Sequence, residues 1–242
     1  MKISYIITTY NRVETLLLHI MSVINDNGED IEIIIADDGS QDETKSEAER
    51  LIALGKYNIK YANTESYDKA TPSKARNMGI ELATGDLLIF ADDDCLPHKD
   101  LINQFKKLRK GYVGVGYKKG DKSIFELDSE NIKQIEESLE GMAATLYFQR
   151  YLCGSFSHGH FTSGSFAVWK DDLGETRFDE DFVGYGYEDK HFGYLLANAG
   201  LKFDYIIQAM SYHSHETFNR PRSQKNEEAI KNKELLNEKI GL

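Results

Sequence analysis

Three consecutive aspartates, Asp92, Asp93 and Asp94, close an apolar run in the stretch LLIFADDDCLPHKD, residues 87 to 100. Adjacent carboxylates at the end of a strand raise one another's proton affinity unless something positive fills the gap. A divalent cation is the simplest such group. Carboxylate oxygens suit Mg²⁺ or Mn²⁺, which take one or two carboxylates and complete their shells with water and phosphate oxygens. In extended backbone Asp92 and Asp94 share a side and Asp93 points away, so at most two of the three face one ion without a bend. Asp94 is the first choice for direct ligation. The alternative is an acidic turn capping a helix that starts near Pro97.

Two further clusters carry chemistry. In FDEDFVGYGYEDKHFGYLL, Glu188 and Asp189 follow a glycine-broken aromatic turn and open an amphipathic helix, whose dipole stabilises carboxylates at its start and keeps a base ionised. In MSYHSHE, His213 and His215 fall on one side of an extended segment, where either can ligate a metal. His158 and His160 of SFSHGHFTSGS could mark a flexible loop, and HGH is too short to establish a metal site. Tyr185, Tyr187 and Phe161 fit a sugar-stacking platform or core packing. Neither Cys95 nor Cys153 has a setting for nucleophilic catalysis.

These residues must be held by a framework, and the first hundred residues supply one. ISYIITT (3 to 9), IEIIIA (31 to 36), YNIKYA (57 to 62) and DLLIFA (86 to 91) read as strands, separated by helical patterns in RVETLLLHIMSVI, DETKSEAERLIAL and SKARNMGIELA. Val13, Leu16, Leu17, Ile20 and Ile24 share one face of the first helix. Alternation of this kind predicts an α/β fold, a Rossmann-like mixed sheet flanked by helices, with ligands beyond the carboxyl ends of its strands. The polar stretches TYNR, DDGS and DDDC all fall there.

The rest of the chain is less regular: a basic stretch from Lys106 to Lys122 read as a solvated face, an acidic helix from about Ser129, and a strand in FDYII. The expected organisation is one domain over 1–219, in halves of about 1–100 and about 101–219. A helical tail or lid spans 220–242 and carries Arg220 and Arg222. With 40 acidic against 29 basic residues and a net charge of −11, the chain is a poor match to nucleic acid. Two cysteines and the lack of a secretory pattern suggest the cytoplasm, and no apolar run approaches a membrane span, so membrane contact is at most peripheral.

Together, IITTYNR, IIADDGSQDET and KARNMGIELATGDLLIFADDDC resemble family 2 glycosyltransferases, whose nucleotide-sugar domain carries these blocks in this order. The resemblance implies the glycosyltransferase A fold, with the aspartates as its DxD motif. It makes Thr9, Tyr10, Arg12, Asp38, Arg76, Asp92 and Asp93 the donor-binding residues: Tyr10 against the base, Asp38 accepting from a uracil ring nitrogen, Arg76 near the diphosphate and Asp92 near ribose or sugar. Asp94 and His213, with His215 as competitor, become ligands of Mn²⁺ or Mg²⁺. The GYGYED block resembles the acceptor-side WGxED block of galactosyl- and N-acetylgalactosaminyltransferases, with Tyr185 in place of the tryptophan. That makes Asp189 the general base of an inverting transfer and Glu188 a holder of sugar or acceptor hydroxyls. The implied partners are a UDP-sugar, bound by the half over about 1–100, and a glycan, glycolipid or glycosylated polypeptide acceptor, bound by the half over about 101–219, with Arg220 or Arg222 of the tail joining the diphosphate if that tail is a lid. The alternatives are a nucleotidyltransferase, although TTYNRVET lacks the expected glycine-rich loop, and a non-catalytic nucleotide-sugar-binding module.

Overall fold

The computed structural model describes residues 1–27, 31–120, 161–213 and 222–241. The expected helix from Ser129, and His158, His160, His215, Cys153, Lys122 and Arg220, lie outside the described residues.

The uninterrupted apolar runs form the centre of the sheet. Strands β1 (Ile3–Thr9), β2 (Ile31–Asp37) and β4 (Leu87–Asp92) are buried almost throughout, as strands covered on both faces must be. With β3 (Ile59–Asn63) they pair in parallel in the order β3-β2-β1-β4, connected by helices α1 (Val13–Asn27), α2 (Thr44–Ala53) and α3 (Pro72–Leu82). Period-two alternation divides the core between the faces. Ile3, Tyr5 and Ile7 meet Leu16, Ile20 and Val23 of α1, while Ile6, Ile34, Leu88 and Phe90 belong to a second cluster with Ile80, Phe166 and Phe192.

One residue breaks the apolar pattern of β2. Glu32 is 1% exposed, yet Ser4 Oγ, Thr84 N and Thr84 Oγ1 donate to its carboxylate and Lys60 Nζ lies 2.7 Å from Oε1. Burial opposes its ionisation, but these partners outweigh it and hold the carboxyl at about 2 against an ordinary 4.5. Its contribution is therefore complete above the unfolded-state value and is lost as pH falls towards the folded one. Glu32→Gln should lower unfolding free energy by about 2–3 kcal/mol at neutral pH. Urea unfolding at several pH values should show wild type and variant converging in acid; a pH-independent gap would sink this account.

The remaining described elements are β5 (Cys95–Pro97), α4 (Leu101–Phe105), β6 (Tyr112–Gly120), β7 (Ser165–Trp169), α5 (Lys170–Leu173), α6 (Glu188–Asn198), β8 (Lys202–His213) and α7 (Arg222–Ile240). They complete an eight-stranded mixed sheet in the order β3-β2-β1-β4-β7-β6-β8-β5, with β7 antiparallel to β4 and β6, and β8 parallel to β6 but antiparallel to β5. The helix that the alternative reading of the aspartates starts near Pro97 begins instead at Leu101. Cys95 to Pro97 pair with Ser211 to His213, and proline is tolerated there because β5 lies at the end of the sheet.

This order has a geometric consequence. Four strand spacings separate β4 from β5, roughly 19 Å in a flat sheet. Only Asp93 and Asp94 connect the two strands, and the three peptide steps from Asp92 to Cys95 reach roughly 11 Å at most. The sheet must curl until the end of β8 returns beside the end of β4. That curl brings His213, 119 positions later in sequence, to Asp94.

Candidate active site

A cavity of about 550 Å³, within the range of small-ligand sites, opens where the sheet curls. The eleven residues to which the family resemblance assigns donor binding, first-choice metal ligation or acid–base chemistry all line it: Thr9, Tyr10, Arg12, Asp38, Arg76, Asp92, Asp93, Asp94, Glu188, Asp189 and His213.

The loop after β1 is shaped by Asn11, which adopts φ 51°, a left-handed conformation that asparagine tolerates better than most residues. Asn11 N donates to Ser40 Oγ and its own Oδ1 accepts from Gln41 N, tying this loop to the one after β2. Tyr10 and Arg12 thereby reach the cavity. Asp38 is 3% exposed, and its carboxylate accepts from Thr71 N at 2.8 and 2.9 Å and from Thr71 Oγ1 at 2.6 Å. Burial raises that carboxyl to about 6. A base N–H would have to share these oxygens with Thr71.

The three aspartates have separate employments. Asp93 faces inward: Thr9 Oγ1 donates to its Oδ2 and Arg12 Nη1 to its Oδ1, both at 2.7 Å. Its carbonyl accepts from His19 Nδ1 at 3.2 Å, and since a carbonyl cannot donate, His19 Nε2 must accept from the Tyr5 hydroxyl at 3.0 Å. Burial lowers His19 to about 4, which keeps the ring neutral for that relay. Asp94 divides its oxygens. Oδ2 accepts from Arg12 Nη1 at 2.7 Å, whereas Oδ1 lies 3.7 Å from His213 Nε2 and 3.6 Å from Cys95 Sγ. Asp94, Cys95 and His213 offer donor atoms within 4.8 Å of one another, the one such triple found among the described residues. Carboxylate and imidazole donors this close fit a divalent cation.

Asp92 faces the opposite wall. Arg76, only 4% exposed, places Nη2 2.9 Å from Asp92 Oδ1 and Nη1 3.3 Å from Glu188 Oε1, with its guanidinium carbon 5.3 Å from the Phe178 ring centre. Burial works against the charge on Asp92, but Arg76, Lys118 and Arg12 hold its carboxyl below the ordinary range. Lys118 was read as part of a solvated basic face, and that reading fails. It lines the cavity, and despite burial its acidic surroundings, including Asp92, Asp189 and Asp94, raise its ammonium. Gly164 permits this approach, since a Cβ there would lie 2.6 Å from Asp92 Oδ2 and 2.8 Å from Lys118 Nζ. Before the register break between Gly116 and Tyr117, Val113 and Val115 belong to the second core cluster while Gly114 and Gly116 back onto Leu108 and Phe105, and because of that break simple alternation along β6 does not place Lys118.

At the entry to α6, Gly184 at φ 86° and Gly186 at φ 92° shape the turn, and Tyr187 at φ 72° is a bulky residue held left-handed just before the helix. Such strain persists only where the surroundings enforce it. Helix α7 does so here: Asn232, 5% exposed, donates from Nδ2 to the carbonyls of Val183, Tyr185 and Gly186 at 3.2, 3.4 and 2.9 Å. Lys239 pairs with Asp179 at 2.8 Å and Asp181 at 2.5 Å. The same helix brings Lys225 to the cavity, 5.1 Å from the ring centre of Tyr185. Burial pushes both Glu188 and Asp189 up; Arg76 opposes it at Glu188, and Lys190 and Arg76 oppose it at Asp189. A carboxyl raised in this way is a stronger proton acceptor than a solvated one. Phe161 is not a sugar platform, because it is fully buried among Phe166, Phe192 and Phe203, whereas Tyr185 is 48% exposed.

The parallel half-sheet, its curled antiparallel extension and the carboxylate-lined cavity at the strand ends define an α/β protein of the glycosyltransferase A type. The chain belongs to glycosyl transferase family 2, whose profile matches residues 4–174. It is similar to the GalNAc(5)-diNAcBac-PP-undecaprenol beta-1,3-glucosyltransferase of Campylobacter jejuni, 32% identical over 185 residues that make up 76% of this chain and 56% of that enzyme. The chain thus spans little more than half of that relative. Among solved structures, the mannosyltransferase PcManGT of Pyrobaculum calidifontis in complex with GDP-Man and Mn²⁺ superposes with TM-score 0.63 at 20% identity, over 90% of this chain and 58% of that one. GalNAc-T7 with UDP, GalNAc and Mn²⁺ gives TM-score 0.67 at 18% identity, over 98% and 48%. At such identities the likeness is one of fold. No helix among the described residues is long and apolar enough to cross a membrane.

Proposed function

We propose that this glycosyltransferase moves a hexose or N-acetylhexosamine, of galactose type, from a UDP-sugar to a hydroxyl of a glycan, glycolipid or glycosylated polypeptide, inverting the anomeric centre. The observation that carries the reading is the meeting of Asp94 and His213 with Asp189 around one cavity, because these are the groups that leaving-group departure and nucleophile activation require. Asp94 Oδ1 and His213 Nε2 would hold Mn²⁺ or Mg²⁺, and the bound cation would neutralise charge on the departing diphosphate. Tyr10 flanks the base, with Asp38 within its reach. Arg76 fixes Asp92 against Glu188, leaving Asp92 to meet ribose or sugar hydroxyls, and Lys118 adds positive charge beside it. Asp189 takes the acceptor hydroxyl's proton as that oxygen bonds to the anomeric carbon from the face opposite the diphosphate. The bond from carbon to diphosphate oxygen breaks, and UDP leaves with its electrons.

In this reading residues 1–100 serve the donor, 101–219 serve the acceptor, and 220–242 act as a lid that brings Lys225 over the site. A cytoplasmic enzyme in peripheral contact with a membrane would suit a lipid-linked acceptor of the kind named for the Campylobacter relative. The galactose preference rests on GYGYED, so that relative's glucosyl transfer makes UDP-glucose the necessary competitor.

The test is nucleotide release from UDP-galactose, UDP-N-acetylgalactosamine, UDP-glucose, UDP-N-acetylglucosamine and GDP-mannose, each with Mn²⁺, Mg²⁺ or chelator. Release from one UDP-sugar, abolished by chelator and by Asp94→Ala, is expected. Chelator-resistant release would remove the cation from the mechanism, and release from GDP-mannose alone would remove UDP.

A further inference from the structure

We propose that Cys95 is a third protein donor in the cation site, which makes the site a binding place for thiophilic divalent ions, Zn²⁺ above all, in competition with Mn²⁺ or Mg²⁺. This rests on the reading that Asp94 and His213 hold a cation. Three separate features support the cysteine. First, Cys95 and His213 are directly opposed partners in the antiparallel β5–β8 ladder. Directly opposed residues send their side chains to the same face, so the strand pairing itself sets thiol and imidazole side by side. Second, Asp94 Oδ2 is engaged by Arg12, which turns Oδ1 towards both of the other donors.

Third, the distances suit the ion. With Zn–S near 2.3 Å and Zn–N or Zn–O near 2.0–2.1 Å, the donors of a tetrahedral zinc lie roughly 3.3–3.6 Å apart. The oxygen-to-sulfur and oxygen-to-nitrogen separations are 3.6 and 3.7 Å. The sulfur-to-nitrogen separation is within 4.8 Å, so a modest rotation of one side chain closes the triangle. Water or a diphosphate oxygen would take the fourth position. Cys95 is a free thiol, 1% exposed. On coordination the S–H proton passes to solvent and a metal–sulfur bond forms, with no change of oxidation state. Magnesium gains little from sulfur, whereas zinc, cobalt and cadmium gain much, so the cysteine reorders the site's preferences.

Co²⁺ titrated into the full chain tests this through its spectrum, independently of turnover. We expect a thiolate-to-cobalt charge-transfer band in the near ultraviolet together with visible d–d bands, both displaced by Zn²⁺. Cys95→Ser should keep d–d absorption and lose the charge-transfer band. Loss of even an outer-shell partner typically costs roughly 10–100-fold in metal affinity, so Zn²⁺ affinity should fall at least that far, with Mn²⁺ affinity little changed. In wild type, d–d bands without charge transfer would overturn the role of Cys95 and leave the Asp94–His213 site standing. A band that persists in Cys95→Ser belongs to Cys153 and also overturns it. No cobalt binding at all would remove the cation site, and the inference with it. X-ray absorption of the wild-type Zn²⁺ complex needs no variant: one sulfur neighbour is expected, and a shell of nitrogen and oxygen alone overturns the proposal.

Discussion

Asp189→Asn is expected to lower kcat by about 10²–10⁴-fold while calorimetric binding of UDP and Mn²⁺ stays at the wild-type level. The substitution keeps the shape of the side chain at the start of α6 but cannot accept the acceptor hydroxyl's proton. The pH profile gives a second readout. Burial raises the Asp189 carboxyl above its ordinary 3.8, and Glu188 beside it is raised as well. In the proposed role Asp189 must be ionised, which it is only above this raised value, so wild-type kcat should decline on acidification earlier than an unperturbed carboxylate would dictate. The variant's residual rate should lack that acid limb. Equal kcat in the two proteins would transfer the role of base elsewhere, with Glu188 as the next candidate.

Arg76→Met should be the most damaging single change to the site's architecture. The guanidinium joins Asp92 at the end of β4 to Glu188 at the start of α6 and is itself almost wholly buried. Removing one partner from a buried ion pair leaves uncompensated charge, and a cost of about 3 kcal/mol is expected, at the low end of the usual range because Asp92 retains some solvent contact. For a chain of this size that corresponds to a fall in Tm of roughly 6–12 °C, measurable by calorimetry. A second substitution, Asp92→Asn, should recover part of the loss, since it removes the stranded charge. If the double variant is no more stable than Arg76→Met, packing against Phe178 and not charge balance is what Arg76 supplies.

The legibility of this protein from sequence follows the physics of each element. Strands β1, β2 and β4 announce themselves because burial on both faces demands unbroken apolar runs, and α1 because its inward face repeats with helical period. Strand β5 was hidden: three residues ending in proline carry too little pattern to outvote a helix start, and only the pairing with β8 makes them a strand. The proximity of His213 to Asp94 depends on the curl of the sheet, which no local pattern encodes. Lys118 was masked by its basic neighbours, since charge runs do not reveal which member points inward. The aspartates themselves were legible in kind and not in duty. Asp93 spends both oxygens on Thr9 and Arg12, and its carbonyl on His19, contacts that lie 74 to 84 positions away.

Asn232 also has a consequence for the order in which the protein matures on the ribosome. Its amide holds three carbonyls of the turn that precedes Glu188 and Asp189, from 46 to 49 positions downstream of them. Strands β1 to β4 find one another within the first 92 residues to emerge, so the cavity wall they build can take shape early. The left-handed turn has no such early support and lacks its anchor until residue 232 is free of the exit tunnel. The wall built from β1 to β4 would therefore stand before this turn is fixed, and the turn would be set only once α7 has been made.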